Sequence, residues 1–190
     1  RFQGRPDSEH EQGLVRLGIA TLILSYLGFL GLRYGFNDPK LMAVFAIMAV
    51  ETVLAFGLLV AIALQPGVSV PRRVLGMLGD YFTLAGVMSI HGRELAPLYI
   101  IYLWTTIGNG LRYGATFLLA ATVMACTSFL VVILANSYWQ SNPYLAWGLF
   151  IGLIAIPAYQ STLLRALTRA MTEAKQANEA KSRFLANMSH

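Results

Sequence analysis

An all-α, membrane-embedded helical bundle is the fold class this chain predicts, and three observations carry that expectation. The 190 residues are 56% hydrophobic and 12% charged, with a mean hydropathy of +0.59, whereas a soluble domain carries about 25% charge. The charge is also unevenly placed: Leu41 to Leu164 holds seven charged residues, while Arg165 to His190 alone holds five basic and two acidic ones. Finally, the apolar residues gather into six segments close to the roughly 20 residues that a spanning helix needs.

The elements follow in order. Residues 1–13 read as a short juxtamembrane segment, 14–164 as the membrane region and 165–190 as a cytoplasmic helix. Arg1 opens the chain without a methionine, so a trimmed start is expected. The first segment, Leu14 to Leu32, is too long for a signal-peptide core and lacks a small-residue cleavage site, so it reads as a retained helix. Leu41 to Leu64 follows the turn signal Asn37-Asp38-Pro39. Val74 to Ile90 follows Gln65-Pro66-Gly67 and Pro71-Arg72-Arg73, and Leu95 to Leu111 follows His91-Gly92-Arg93; both are short for a span. Ala115 to Ala135 is the fifth segment. A joint from Asn136 to Pro143 precedes the sixth, Leu145 to Leu164, and Tyr138, Trp139, Tyr144 and Trp147 cluster there as rings do at a membrane interface.

Beyond Leu164 neither Gly nor Pro occurs through His190, and Ala, Leu, Glu, Lys, Gln and Arg dominate, so the last helix should leave the membrane and continue. Leu163, Leu167, Ala170, Ala174, Ala177, Lys181, Phe184 and Met188 alternate spacings of four and three, a weak heptad seam that predicts a parallel homodimer. An ordinary solvated helix is the alternative.

Orientation follows from the basic residues. With six crossings and a cytoplasmic tail, Arg1, Arg5, Arg16, Arg72, Arg73 and Arg112 face the cytoplasm against Arg33, Lys40 and Arg93 outside, which satisfies the positive-inside rule. With five crossings the N-terminus moves outside and the bias reverses. The pentapeptide Gly-Leu-Arg-Tyr-Gly occurs at 31–35 and again at 110–114, each time ending an apolar segment. It marks either a three-plus-three inverted repeat or convergent use of a glycine stop with a snorkelling Arg and an interfacial Tyr.

Several function classes fall away on composition. Cys126 is the single cysteine, so no internal disulfide forms, and its apolar setting reads as a small buried hydrophobe. The net charge of +5 is spread over segment ends and tail, where membrane orientation explains it without a nucleic-acid partner. No metal site is expected. No Gly-rich nucleotide loop is present either, so the fragment carries no ATP-binding domain or cofactor of its own.

The polar residues within the apolar segments need compensation. Glu51 and Asp80 sit where a charged carboxylate costs at least about 3 kcal/mol, and they read either as acids that set a signalling state or as fixed interhelical hydrogen bonds. Arg33, Arg93, Asn109 and Arg112 lie at segment ends, where a guanidinium holds a carboxylate on two prongs or snorkels to headgroups. Asp7, Glu9 and Glu11 are poor partners for an anion; they suit a cap on the first helix, or pairing with basic residues.

The closing run Phe184-Leu185-Ala186-Asn187-Met188-Ser189-His190 resembles the opening of the phospho-accepting H-box of sensor histidine kinases, which implies that His190 attacks the γ-phosphorus of ATP in the complete enzyme. Asp7-Ser8-Glu9-His10, Gly108-Asn109-Gly110-Leu111-Arg112-Tyr113-Gly114 and the direct run into the H-box make the whole chain similar to RpfC-type hybrid kinases. That resemblance implies a bacterial inner-membrane sensor of diffusible signal factor, a cis-2-unsaturated fatty acid used in quorum sensing. It implies a sensing segment at Asp7, Ser8 and Glu9, downstream receiver and phosphotransfer domains as partners, and ATP with Mg in the complete kinase. The family is drawn with five spans and a periplasmic N-terminus, against the six favoured by the charge. Given the fatty acid that the resemblance implies, the short loops and apolar segments lead to the expectation that it arrives through membrane lipid and keeps its carboxylate at the depth of Arg33, Arg93 and Arg112. The competing expectations are a small transporter or channel, suggested by the acids and the repeat, and an inert dimerising anchor.

Overall fold

The computed structural model describes residues 9–65 and 67–188, apart from the side chains of 185–187. Asp7, Ser8 and His190 therefore lie outside the described residues, as do Arg1 and Arg5. The elements are α1 (Glu9–Tyr34), α2 (Pro39–Leu64), α3 (Val70–Ile90), a 3-10 turn (Ala96–Leu98), α4 (Tyr99–Tyr113), α5 (Ala115–Ala135), α6 (Ser137–Ser141) and α7 (Pro143–Met188). No strand occurs among the described residues, and the all-α class stands.

The punctuation in the sequence sets the helix ends. Asp38 caps α2, its side chain accepting from the Lys40 N–H at 3.0 Å, with Pro39 preset for the first turn. Ser69 caps α3 in the same way through the Arg72 N–H, and Asn136 caps α6 through the Tyr138 N–H at 2.9 Å. The repeated pentapeptide builds one device twice. Its last residue, Gly35 or Gly114, has φ of +93° or +87°, a backbone that a side chain would strain. The N–H of that residue closes on the carbonyl of the first glycine, Gly31 at 2.8 Å or Gly110 at 2.9 Å.

Helix α1 packs along α2, α2 along α3, and α3 along α5, which in turn lies against α4 and α7. The centre is aromatic. Phe129 meets Tyr99, Tyr102 and Trp139 edge-on at centroid distances of 5.2–5.6 Å, and the Tyr81 and Thr106 hydroxyls share a hydrogen bond of 2.7 Å. Half-buried Cys126 packs against this core.

Successive long helices run in opposite directions. At one end of the bundle, the start of α1 meets the start of α3 and the end of α4 through Glu9 and Gln12. At the other end, Tyr26 donates to the Glu94 carbonyl at 2.7 Å and Asn136 to the Ser89 carbonyl at 2.8 Å.

Helix α1 starts at Glu9, ahead of Leu14, with an acidic first turn, and Glu9 finds cationic partners on α3. One sequence expectation changes. Trp139 is core, 1% exposed and packed on Phe129, whereas Tyr144 at 95% is the outward ring. The short helix α6, which the sequence left as a joint, folds Trp139 inward.

Among the described residues, four helices, α1, α2, α5 and α7, are long and apolar enough to cross a membrane. Helix α3 has the length but carries Arg72, Arg73 and Asp80, and α4 has 15 residues, about 22 Å against the ~30 Å of a hydrocarbon core.

Candidate functional site

A polar seam ties α1 to α3 and α4. Glu9, Gln12 and Arg16 recur at spacings of three and four, which stacks them on one helix face. Glu9, 3% exposed, accepts from Arg72 Nε at 2.9 Å and Arg73 Nε at 2.6 Å, and also from the Arg72 Nη2. Arg73 lies 4.1 Å from the centre of the Tyr113 ring, a cation–π contact. Tyr113 donates its hydroxyl to Gln12 Oε1, and Gln12 Nε2 donates to Asn109 Oδ1 at 3.1 Å. Asn109 is fully buried and donates to the Thr105 carbonyl at 2.8 Å.

One or two turns deeper, Arg16 holds Asp80 on two prongs, Nε to Oδ1 at 2.6 Å and Nη2 to Oδ2 at 2.7 Å. The same guanidinium lies 3.9 Å from Glu51 Oε1, while Glu51 Oε2 accepts from Thr83 at 3.1 Å. Asp80 is thus compensated by Arg16, whereas Glu51 is compensated only in part, its Oε1 buried without a hydrogen bond. Glycines make the space: a Cβ on Gly76 would stand 2.7 Å from the Arg16 guanidinium, and one on Gly79 would stand 3.0 Å from Glu51 Oε2.

The sequence-predicted residues separate into two groups. Glu9, Asn109 and Arg112 share the end at which α1 begins, with Glu51 and Asp80 below them. Arg33 and Arg93 are exposed at the opposite end, Arg33 lying 5.9 Å from the Tyr34 ring centre. One carboxylate cannot touch both groups. Of the two roles expected of the N-terminal acids, Glu9 shows the pairing with basic residues.

Sequence reasoning missed Gln12 and treated Arg16 as an orientation charge only. The spacing of Glu9, Gln12 and Arg16 within an otherwise apolar helix was the signal that could have found them. It also missed His91, placed between Asp38 Oδ2 at 3.4 Å and Glu94 Oε2 at 3.6 Å, and Gln160 of α7, which donates to the Ile107 carbonyl of α4 at 3.0 Å.

Comparison with known proteins decides the family. The chain is 53% identical over 191 aligned residues to the sensory/regulatory protein RpfC of Xanthomonas campestris pv. campestris, in strain ATCC 33913 and in strain 8004 alike. It is RpfC-type along its whole length. The match takes in 100% of this chain and 26% of each relative, so the chain spans about a quarter of the length of the curated RpfC proteins. No protein-family model and no solved structure matches it. Within an RpfC-type sequence, the seam joining α1 to α3 and α4 becomes a candidate for what holds a sensory region in one state.

Proposed function

We propose that this chain is the membrane sensor region of a two-component hybrid histidine kinase in the bacterial inner membrane. It detects a cis-2-unsaturated fatty acid and controls autophosphorylation of His190 across a homodimer. The observation that carries the reading is α7: 46 residues of uninterrupted helix that begin against α5 and α4 and run to Met188, inside the motif that resembles the H-box. At 1.5 Å per residue that helix is about 70 Å long, roughly twice a hydrocarbon core. Pro157 lies inside the helix and removes one backbone hydrogen bond there, yet the helix continues past it, so a shift in the bundle has a continuous helical path to the dimerisation helix. The 53% identity to a sensory/regulatory protein supports the same reading.

Chemically, His190 supplies a neutral imidazole nitrogen as nucleophile, while ATP, Mg and the receiver and phosphotransfer partners belong to the complete kinase. The test uses the full-length protein in lipid vesicles with ATP and Mg. The His190→Ala variant is expected to insert normally and to take no label from ATP, and the fatty acid to change the wild-type labelling rate. Histidine labelling that persists in the variant would overturn the assignment.

A further inference from the structure

Side chains tie helix α7 to α4 at two levels, and Pro157 lies between them. Before the proline, Tyr99 at the start of α4 donates its hydroxyl to the Leu149 carbonyl at 2.6 Å. After it, Gln160 Nε2 donates to the Ile107 carbonyl in the second half of α4 at 3.0 Å. Pro157 has no N–H, so the Leu153 carbonyl one turn earlier loses its helical partner, and such a proline is where a long helix bends. The second tie therefore decides the direction in which the rest of α7 leaves the bundle.

Gln160 is also the last buried residue of α7 among those described. Leu153, Pro157 and Gln160 turn toward the bundle at helical spacing, and every described side chain from Arg165 onward is exposed. Only part of its bonding capacity is used, since Oε1 is buried without a hydrogen bond. A buried amide oxygen left alone costs free energy, so this tie opens more readily than a fully satisfied one. Gly110 admits it: a Cβ there would stand 2.9 Å from Gln160 Nε2 and 2.8 Å from Leu118 Cδ1. Beyond the tie, α7 stands off from the start of α5 across an open cleft of about 520 Å³, lined by Gly114, Ala115, Leu164, Arg165 and Thr168. Helix α7 has room there to swing or turn.

We propose that Gln160 is the positioning residue through which the membrane bundle sets the output helix, by holding or releasing the Ile107 carbonyl. The proposal rests on the sensor-kinase reading above and names how the signal leaves the bundle. The turn of α4 that Gln160 grips is the one that meets α1. Asn109, two residues after Ile107, is fully buried and accepts from Gln12 of α1 at 3.1 Å, and Tyr113 reaches the same Gln12. A hydrogen-bonded helical turn moves as a unit, so a shift of α1 that draws on Asn109 also displaces the Ile107 carbonyl. With that carbonyl gone from Nε2, α7 pivots at Pro157 into the open cleft, and the residues leading to His190 turn with it.

The experiment uses full-length protein in phosphatidylcholine nanodiscs with ATP and Mg, and cis-2-dodecenoic acid as the probe, with a terminal diazirine where uptake is read. Gln160→Met keeps the size and removes the donor. Its ratio of autophosphorylation rates with and without the acid should fall to about one, while diazirine labelling persists and the KM for ATP stays at the wild-type value. Gln160→His, whose Nε2–H has a similar reach, should restore most of the ratio, and Tyr159→Met, at an exposed neighbour, should leave it unchanged. A bimane on Thr168→Cys, without Cys126 and with Ala115→Trp as quencher across the cleft, should change its emission with the acid, and should not do so once Gln160→Met is added. Where Gln160→Met fails to insert, Gly110→Ala, which crowds the same amide, is read in its place with the same expected loss. A wild-type ratio in Gln160→Met, no rescue by Gln160→His, or an equal loss in Tyr159→Met overturns the proposal while leaving the fatty-acid reading intact. If the wild-type rate ignores the acid, the fatty-acid reading fails, and Gln160 is judged on the basal rate and the bimane emission. A basal rate and an emission that Gln160→Met leaves unchanged then overturn its role as well.

Discussion

At the scale of single residues, the polar seam depends as much on absent side chains as on charged ones. Gly76 and Gly18 are both helical glycines, yet a Cβ on Gly76 would stand 2.7 Å from the Arg16 guanidinium and one on Gly18 would meet nothing within 4 Å. The guanidinium is buried and held by Asp80 on two prongs, so it cannot yield without losing that pair. We expect Gly76→Ala to destabilise the detergent-solubilised protein by about 2 kcal/mol or more, and Gly18→Ala to stabilise it by about 0.5–1 kcal/mol. Equal midpoints for the two variants in denaturant titration would remove the constraint assigned to Gly76. The pair itself is tested by Asp80→Ala, which leaves Arg16 only its 3.9 Å approach to Glu51 and should cost about 3–5 kcal/mol. A loss below about 1 kcal/mol in Asp80→Ala would mean that Arg16 finds another partner at little cost. Here the sequence was legible only in part. Glu51 and Asp80 announced themselves as acids in apolar runs, but their common partner, thirty-five or more residues away in the chain, carried no local signal beyond the α1 stripe.

At the scale of elements, hydropathy located the six long helices, because each must present apolar side chains to lipid or to its neighbours. It gave less weight to α3, whose Arg72, Arg73 and Asp80 are paid for by α1 rather than by water. It did not foresee α6, since Asn136 as cap and Trp139 as buried anchor act through tertiary contacts. In α7, hydropathy falls after Leu164 while helical propensity persists, and the helix continues. Leu167 and Met188 are exposed, as is every described side chain from Arg165 onward, and the expected seam would be covered only by a partner helix. In a background lacking Cys126, cysteines introduced at Ala170 or Ala174 should form intermolecular cross-links far faster than one at Glu173, read by non-reducing gel. Equal rates at the three positions would remove the seam.

At the scale of the whole molecule, alternating helix directions fix which ends travel together, and this bears on the disagreement between the charge count and the five-span drawing of the family. Glu9 of α1 touches Arg72 and Arg73 at the start of α3. Tyr113 at the end of α4 reaches Gln12, and Gln160 of α7 reaches the last turns of α4. The start of α1 and the departure of α7 therefore lie at one end of the bundle, and Asp38, His91 and Glu94 at the other. If all six long helices cross the membrane and the tail is cytoplasmic, the segment that opens the chain is cytoplasmic too. Four spans meet the length and composition expected of a crossing, and α3 and α4 carry the question, because together they make either two crossings or one. The decisive measurement is labelling of the full-length protein in intact cells with a membrane-impermeant maleimide, again without Cys126. Cysteines at exposed Glu11 and Val68 should stay unlabelled until the membrane is opened, and one at exposed Arg93 should react at once. Immediate labelling at both Glu11 and Val68 would place the start of α1 and the start of α3 outside, as five crossings require. The Glu9 pairs would survive that result, and the six-crossing arrangement would fall.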